Sequence, residues 1–231
     1  MFFCGHITHE NHKNIFISDN AEFNGSEIII KNHNVVFVKN DCRLPFDGNS
    51  DEFLNLKNYP DKFFFDIRYA TKNNFAGKVL YNNAFCWMRY SPALDLLDAA
   101  DYFLKNNYKI KIFDAYRPHS VQYIMWEVCP DRNFLAMPDK GSIHNRGCAV
   151  DLTIADTTGK NVDMGTDFDF RGRAAYMNNT DLPKEVIDNR ILLRVGLKAY
   201  GFSGIKTEWW HFTHYSALSC PLADIIPPDN K

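Results

Sequence analysis

The sequence has no run approaching the roughly 18 apolar residues that a membrane-crossing helix needs. It also has no positively charged leader ahead of a long apolar stretch, because only Met1, Phe2 and Phe3 precede Cys4. A soluble, cytoplasmic protein is expected, with a periplasmic one open if a leader was removed ahead of residue 1. Basic excess is missing too: the formal net charge is −2, with no Lys/Arg tract. That excludes nucleic-acid binding driven by phosphate neutralisation. The six cysteines, Cys4, Cys42, Cys86, Cys129, Cys148 and Cys220, form no Cys-x-x-Cys pair, and a chain of this size needs no disulfide staples, so mostly reduced core thiols are expected.

What is present is globular. The chain has 231 residues, 45% hydrophobic and 23% charged, enough for one ordinary domain, or one with an extension. Residues 1–50 read as the extension. Within it Glu27–Lys31 and Val35–Val38 flank Asn32-His33-Asn34, the pattern of a β-hairpin. Residues 40–52 are turn formers. The cluster Cys4, His6, His9 and His12 matches no structural zinc spacing and is read as a solvated terminus.

From residue 51 to 231 the pattern is mixed α and β. Ser91-Pro92 predicts a helix start with a hydroxyl cap, and Leu94, Leu97, Ala100 or Asp101, and Leu104 recur at helical spacing until Asn106-Asn107. Tyr108, Ile110 and Ile112 alternate with lysines as a strand that delivers Asp114 and Arg117 at its end. A short helix over 120–128 should bury Val121, Ile124, Met125 and Val128. A last helix from Pro183 steps through Ile187, Ile191, Val195 and Ala199 to a stop at Gly201.

Two stretches carry chemistry. In Ser142-Ile-His-Asn-Arg-Gly-Cys-Ala-Val-Asp-Leu-Thr153, His144 and Asp151 are ligand types for zinc, and Asp151 falls on a strand face with only small neighbours, Ala149 and Thr153. Gly147 suits a sharp reversal that brings His144 alongside. A catalytic zinc commonly takes three protein ligands and leaves a position for water. The third is expected from Thr207-Glu-Trp-Trp-His-Phe212, with His211 as ligand and Glu208 as general base. On a regular strand those two would point oppositely, so a bulge, twist or strand end is expected there. Arg117, held before Pro118, suits an oxyanion developing on a tetrahedral carbon, the competing reading being an ion pair with Asp114. His119 and His214 read as background histidines. The residues thus point to a zinc hydrolase.

Ser142-x-His144-x-x-Gly147-x-Ala149-x-Asp151 and Glu208-Trp-Trp-His211 resemble the motifs of the zinc D-alanyl-D-alanine dipeptidases of the vancomycin-resistance type, a subgroup of peptidase family M15. So do Asp66–Thr71 with Asn74–Gly77, Asp114–Pro118 and Met164–Phe170, in the family's order from about Lys62 to Phe212. The resemblance implies an α+β fold with a central antiparallel sheet, flanking helices and a zinc site at one face, similar to Hedgehog-type domains. It implies one Zn2+ per chain on His144, Asp151 and His211, Glu208 as base, and Arg117 steadying the transition state. Asp169 would receive the substrate ammonium, and Ser142 and Tyr69 would line the dipeptide site. The alignment slips around Val79–Asn83, leaving Tyr81 or Asn83 as the pocket wall. Hydrolysis of D-Ala-D-Ala is the expected activity, with no nucleic-acid partner; nothing in the sequence sets an oligomeric state. A D,D- or L,D-carboxypeptidase acting on peptidoglycan peptides is the alternative, and a non-catalytic zinc-binding module is the alternative of another class.

Overall fold

The computed structural model describes residues 21–24, 27–30, 53–81 and 83–226. The chain divides into two compact units, Met1–Asp47 and Gly48–Lys231. In the first, strands β1 (Ala21–Asn24) and β2 (Glu27–Ile30) pair antiparallel, with Ala21 opposite Ile30 and Asn24 opposite Glu27. The expected hairpin used the same Glu27–Ile30 segment but took Val35–Val38 as partner. The strand seen beside it is the earlier Ala21–Asn24, a pairing signalled in sequence by the Gly25-Ser26 dipeptide. Residues 31–38 and the Cys4/His6/His9/His12 cluster lie outside the described residues.

In the second unit, β3 (Phe53–Asn55) and β5 (Trp87–Arg89) form a small antiparallel pair. The main sheet has five strands in the spatial order β4 (Phe63–Phe65), β6 (Lys109–Asp114), β7 (Ala149–Ala155), β9 (His211–His214) and β8 (Phe202–Gly204). All neighbours run antiparallel except the edge pair β4 and β6, which is parallel. Three α-helices are seen among the described residues: α1 (Tyr90–Lys105), α2 (His119–Val128) and α3 (Lys184–Lys198). None is long and apolar enough to cross a membrane. This is the expected α+β class.

The helices form where the periodicity places them, but their buried faces differ from expectation. In α1 the expected Leu97 and Ala100 are buried, but Ala93, Leu96 and Phe103 join them while Leu94 and Leu104 are half-buried. Gly196 of α3 explains the rotation, since a Cβ there would stand 2.5 Å from the Phe103 ring. Helix α1 also starts one residue before Ser91, and its N-cap, Arg89, makes no side-chain cap bond. The expected hydroxyl cap is therefore absent, and Pro92 sits in the first turn, where its missing N–H costs nothing. In α2 only Val121, Gln122 and Met125 are buried, and Ile124 and Val128 face outward. Helix α3 is buried nearly all round, with Asp188, Asn189 and Arg190 inside; Ala199 is exposed, and Gly201 at φ 84° ends the run.

Strand β7 is the centre of the sheet, and all seven of its residues are buried. Both faces are therefore covered, and the small-residue face of Ala149, Asp151 and Thr153 looks into an enclosed space. Register sets the rest: Asp114 of β6 lies opposite Asp151, which lies opposite His211 of β9. An irregularity between Ile112 and Asp114 aligns the acid with that row. Cys86, Cys129, Cys148 and Cys220 are free and buried; Cys4 and Cys42 lie outside the described residues.

Candidate active site

His144 opens a single 3-10 turn, His144–Arg146, which ends at Gly147 with φ 73°. A Cβ at Gly147 would stand 2.5 Å from the Phe53 ring, so both backbone and space require glycine. The reversal lays the imidazole beside the start of β7. Its Nδ1 lies 2.7 Å from the carbonyl oxygen of Ala115, and that hydrogen bond places the proton on Nδ1. The lone pair on Nε2 then faces Asp151 Oδ1 at 3.3 Å and His211 Nδ1 at 3.1 Å.

His211 is oriented the opposite way. Its Nε2 lies 3.1 Å from the Thr213 hydroxyl and its Nδ1 faces Asp151 Oδ1 at 3.0 Å; in the tautomer that donates from Nε2 to Thr213, the Nδ1 lone pair is turned to the cluster. Three acceptor atoms thus converge with both imidazole protons engaged elsewhere. Such a set repels itself unless a cation or an added proton lies between. Ligands about 2.0 to 2.1 Å from a tetrahedral ion sit roughly 3.3 Å apart, close to the separations seen. The donor chemistry, two imidazoles and one carboxylate, fits a metal ion, and the three residues could hold one.

The electrostatics agree. Burial alone would lower the His144 pKa, but the Asp151 carboxylate raises it above the ordinary histidine value. Burial works to raise Asp151, and the two imidazoles reverse that, holding it below the usual carboxylate range. Without a cation the cluster draws in a proton; with one it has no need to.

Arg117 stands at the end of β6 and is buried. Its Nε and Nη2 donate to Asp114 Oδ2 at 3.1 and 2.6 Å, and its Nη1 donates to Gln122 Oε1 at 3.3 Å. The ion pair with Asp114 is therefore real, but of the five guanidinium N–H groups it occupies only two. Burial opposes the charge, and Asp114 raises the pKa above the ordinary arginine value, so the group stays cationic. Tyr81 donates to the other Asp114 oxygen at 2.6 Å, which ties it to the carboxylate that holds Arg117.

Across the pocket, Asp169 adopts φ 62° and accepts bonds from the Tyr69 hydroxyl and the Phe75 N–H, both at 3.0 Å. The Tyr69 ring lies 4.8 Å from the Arg117 guanidinium carbon, so the tyrosine bridges the two charged groups. Burial pushes the Asp169 carboxyl up to about 7 against the pull of the Phe75 N–H. Glu208 precedes β9 at a strand end, which frees its side chain from strand alternation. Burial pushes its carboxyl up to about 7 as well, opposed by His211 and reinforced by Asp151 and Asp169.

Ser142 is half-buried at the turn before His144. Its N–H donates to Asn145 Oδ1 at 2.6 Å and its hydroxyl accepts from the His144 N–H at 3.3 Å, so its visible part is to shape the turn that carries His144. His119 Nε2 lies 2.7 Å from the Pro138 carbonyl, and His214 sits between Ser216 and Asp95, each at 2.8 Å; neither joins the cluster. Asn145, Thr213 and Gln122 escaped the sequence reading. Asn145, fully buried, donates to the Arg117 carbonyl at 3.0 Å while the Arg117 N–H donates to the His144 carbonyl at 3.1 Å. Short polar residues beside a motif were the only available signal.

Comparison with known proteins supplies the remaining element. The peptidase M15 profile, described as D-ala-D-ala dipeptidase, matches residues 49–227. A D-alanyl-D-alanine dipeptidase of Escherichia coli K12 is 34% identical over 157 residues, covering 68% of this chain and 81% of the relative. One from Enterococcus faecium is 30% identical over 168 residues, covering 64% of this chain and 83% of the relative. A solved vancomycin-resistance D,D-dipeptidase in complex with a D-Ala-D-Ala phosphinate analogue aligns with TM-score 0.34 at 20% identity, over 56% of this chain and 51% of that one. On the strength of the sequence matches, the chain belongs to peptidase family M15, the D-Ala-D-Ala dipeptidase family.

Proposed function

We propose that this protein is a zinc-dependent dipeptidase that hydrolyses D-alanyl-D-alanine to two molecules of D-alanine. The observation that carries the reading is the convergence of His144 Nε2, Asp151 Oδ1 and His211 Nδ1, to which Glu208, three residues before His211 and with its carboxyl pushed up to about 7 by burial, adds the base. Zinc held there would lower the pKa of a bound water toward about 7 and polarise the scissile carbonyl.

The chain's own residues do the rest. Glu208 takes a proton from the attacking water as the new C–O bond forms, and returns it to the leaving nitrogen as the C–N bond breaks. A carboxyl held near neutrality suits both transfers. Arg117 offers its remaining N–H groups to the oxyanion, with its position fixed by Asp114 and Gln122. Asp169 takes the substrate ammonium, steadied by Tyr69 and the Phe75 N–H. A peptide extended at its amino end would present no ammonium there and would leave the Asp169 carboxylate without a countercharge, at a cost of about 1 to 3 kcal/mol.

The test is purified protein of measured zinc content given D-Ala-D-Ala, L-Ala-L-Ala and a longer stem peptide. Alanine released only from the first supports the reading. Cleavage of the stem peptide alone points instead to a carboxypeptidase, and no cleavage with zinc bound points to a binding module.

A further inference from the structure

The most deeply buried charge that this mechanism leaves unused is Arg190, on α3, 2% exposed. Among the described residues no carboxylate bonds it. Its Nε donates to the Met164 carbonyl at 2.9 Å, its Nη1 to the Tyr176 carbonyl at 2.8 Å and its Nη2 to the Ala174 carbonyl at 2.8 Å. The preceding residue, Asn189, donates to the Asp163 carbonyl at 2.9 Å. Two neighbouring side chains of one helix therefore grip both ends of the segment 163–176, as a clasp closes the neck of a loop. Burial lowers the Arg190 pKa to about 10, so the guanidinium remains charged near neutrality, and its planar fork reaches three carbonyls at once.

Asp169 lies at the far side of that loop. It holds a left-handed backbone conformation that a non-glycine residue keeps only where its surroundings over-determine it. Next to it Phe168 is wedged among Tyr69, Phe113 and Trp210, with ring centroids 5.7, 5.1 and 5.4 Å away. The wedge fixes the middle of the loop and the clasp fixes its ends.

We propose that Arg190 is a positioning residue for substrate recognition: by closing the neck of the 163–176 loop it holds Asp169 where the substrate ammonium binds. The proposal rests on the dipeptidase reading given above. It requires that Arg190 act through Asp169 and not on the metal cluster or on Glu208.

The experiment compares Arg190→Lys and the milder Asn189→Ala with wild type, each alone and combined with Asp169→Asn, in zinc-loaded protein of measured metal content. Arg190→Lys should raise KM for D-Ala-D-Ala about tenfold or more, the worth of one charge-assisted hydrogen bond, with kcat within about threefold and zinc content unchanged. Asn189→Ala should do the same to a smaller extent. Neither should add to the effect of Asp169→Asn. Amide exchange should rise in 166–174 and stay unchanged in β7 and β9. An unaltered KM, an additive effect, or a fall in kcat at constant KM overturns the proposal while leaving the dipeptidase intact. Should Arg190→Lys fail to fold, Asn189→Ala decides by the same criteria. A wild-type chain that leaves D-Ala-D-Ala uncleaved overturns the functional reading, and this proposal with it.

Discussion

Asp151 Oδ1 and His211 Nδ1 lie 3.0 Å apart because the two residues are directly paired across β7 and β9. Strand pairing, not a flexible loop, sets the distance between two of the three candidate ligands. His144, the third, enters from a turn that Gly147 and Asn145 hold in place.

The Thr213 hydroxyl lies 3.1 Å from His211 Nε2, and accepting its proton would turn Nδ1 toward a metal, so Thr213→Val should weaken zinc binding by about 10- to 100-fold. Thr213→Ser should restore most of it. Chelator competition on folded protein measures both, and equal affinities for valine and serine variants would rule out the hydroxyl as the orienting group.

Glu208→Gln should leave the zinc content unchanged and reduce kcat by about 100- to 10,000-fold, the range for loss of a positioned acid–base group. Steady-state kinetics beside metal analysis gives the answer. An active glutamine variant would remove Glu208 from the proton path.

The metal-free protein should lose stability as pH rises from about 4 to about 7. Asp169 and Glu208 titrate near 7 when folded and at about 3.9 and 4.3 when unfolded. Between those values the folded chain holds protons that the unfolded chain has released, so raising the pH favours unfolding. His144, with its raised pKa, adds to the same trend as pH rises through it. Asp151, with its lowered pKa, contributes stability that is present above about 4 and lost only below it. Urea midpoints at pH 5 and 7.5 after chelation should therefore fall with pH, and Asp169→Asn should shrink the difference. Zinc should reverse the trend, since its ligands bind deprotonated.

Gly147→Ala should destabilise the fold by about 1 to 3 kcal/mol, from the left-handed backbone and the Phe53 contact together. For a chain of this length that lowers the melting temperature by roughly 2 to 4 °C per kcal/mol. A melting temperature within about 1 °C of wild type, less than about 0.5 kcal/mol on that scale, would show that Phe53 and the turn can yield.

The sequence made the site more legible than its surroundings. His144, Gly147, Asp151, Glu208 and His211 stand in two short stretches whose residue types have few other uses together, and the structure brings His144, Asp151 and His211 within reach of one another. Arg117 was visible with both of its readings; the structure shows the ion pair with Asp114, which leaves further N–H groups for the role proposed above. The helix faces were not legible. The stripe on α1 depends on Gly196 of another helix, and Gln122 points inward on α2 because Arg117 needs an acceptor. Arg190 gave no signal at all, since its partners are backbone carbonyls, which every residue possesses. The same holds for Ala115, whose carbonyl sets the tautomer of His144.

The alignment of Asp114, Asp151 and His211 across three strands ties folding quality to metal content. A slip of one position along β7 would turn Asp151 to the opposite side of the sheet, leaving a chain that could still look compact yet hold no ion. Bound zinc per chain would then count the molecules whose strands found their proper partners, and a preparation's shortfall in zinc would measure misassembly as directly as it measures depletion.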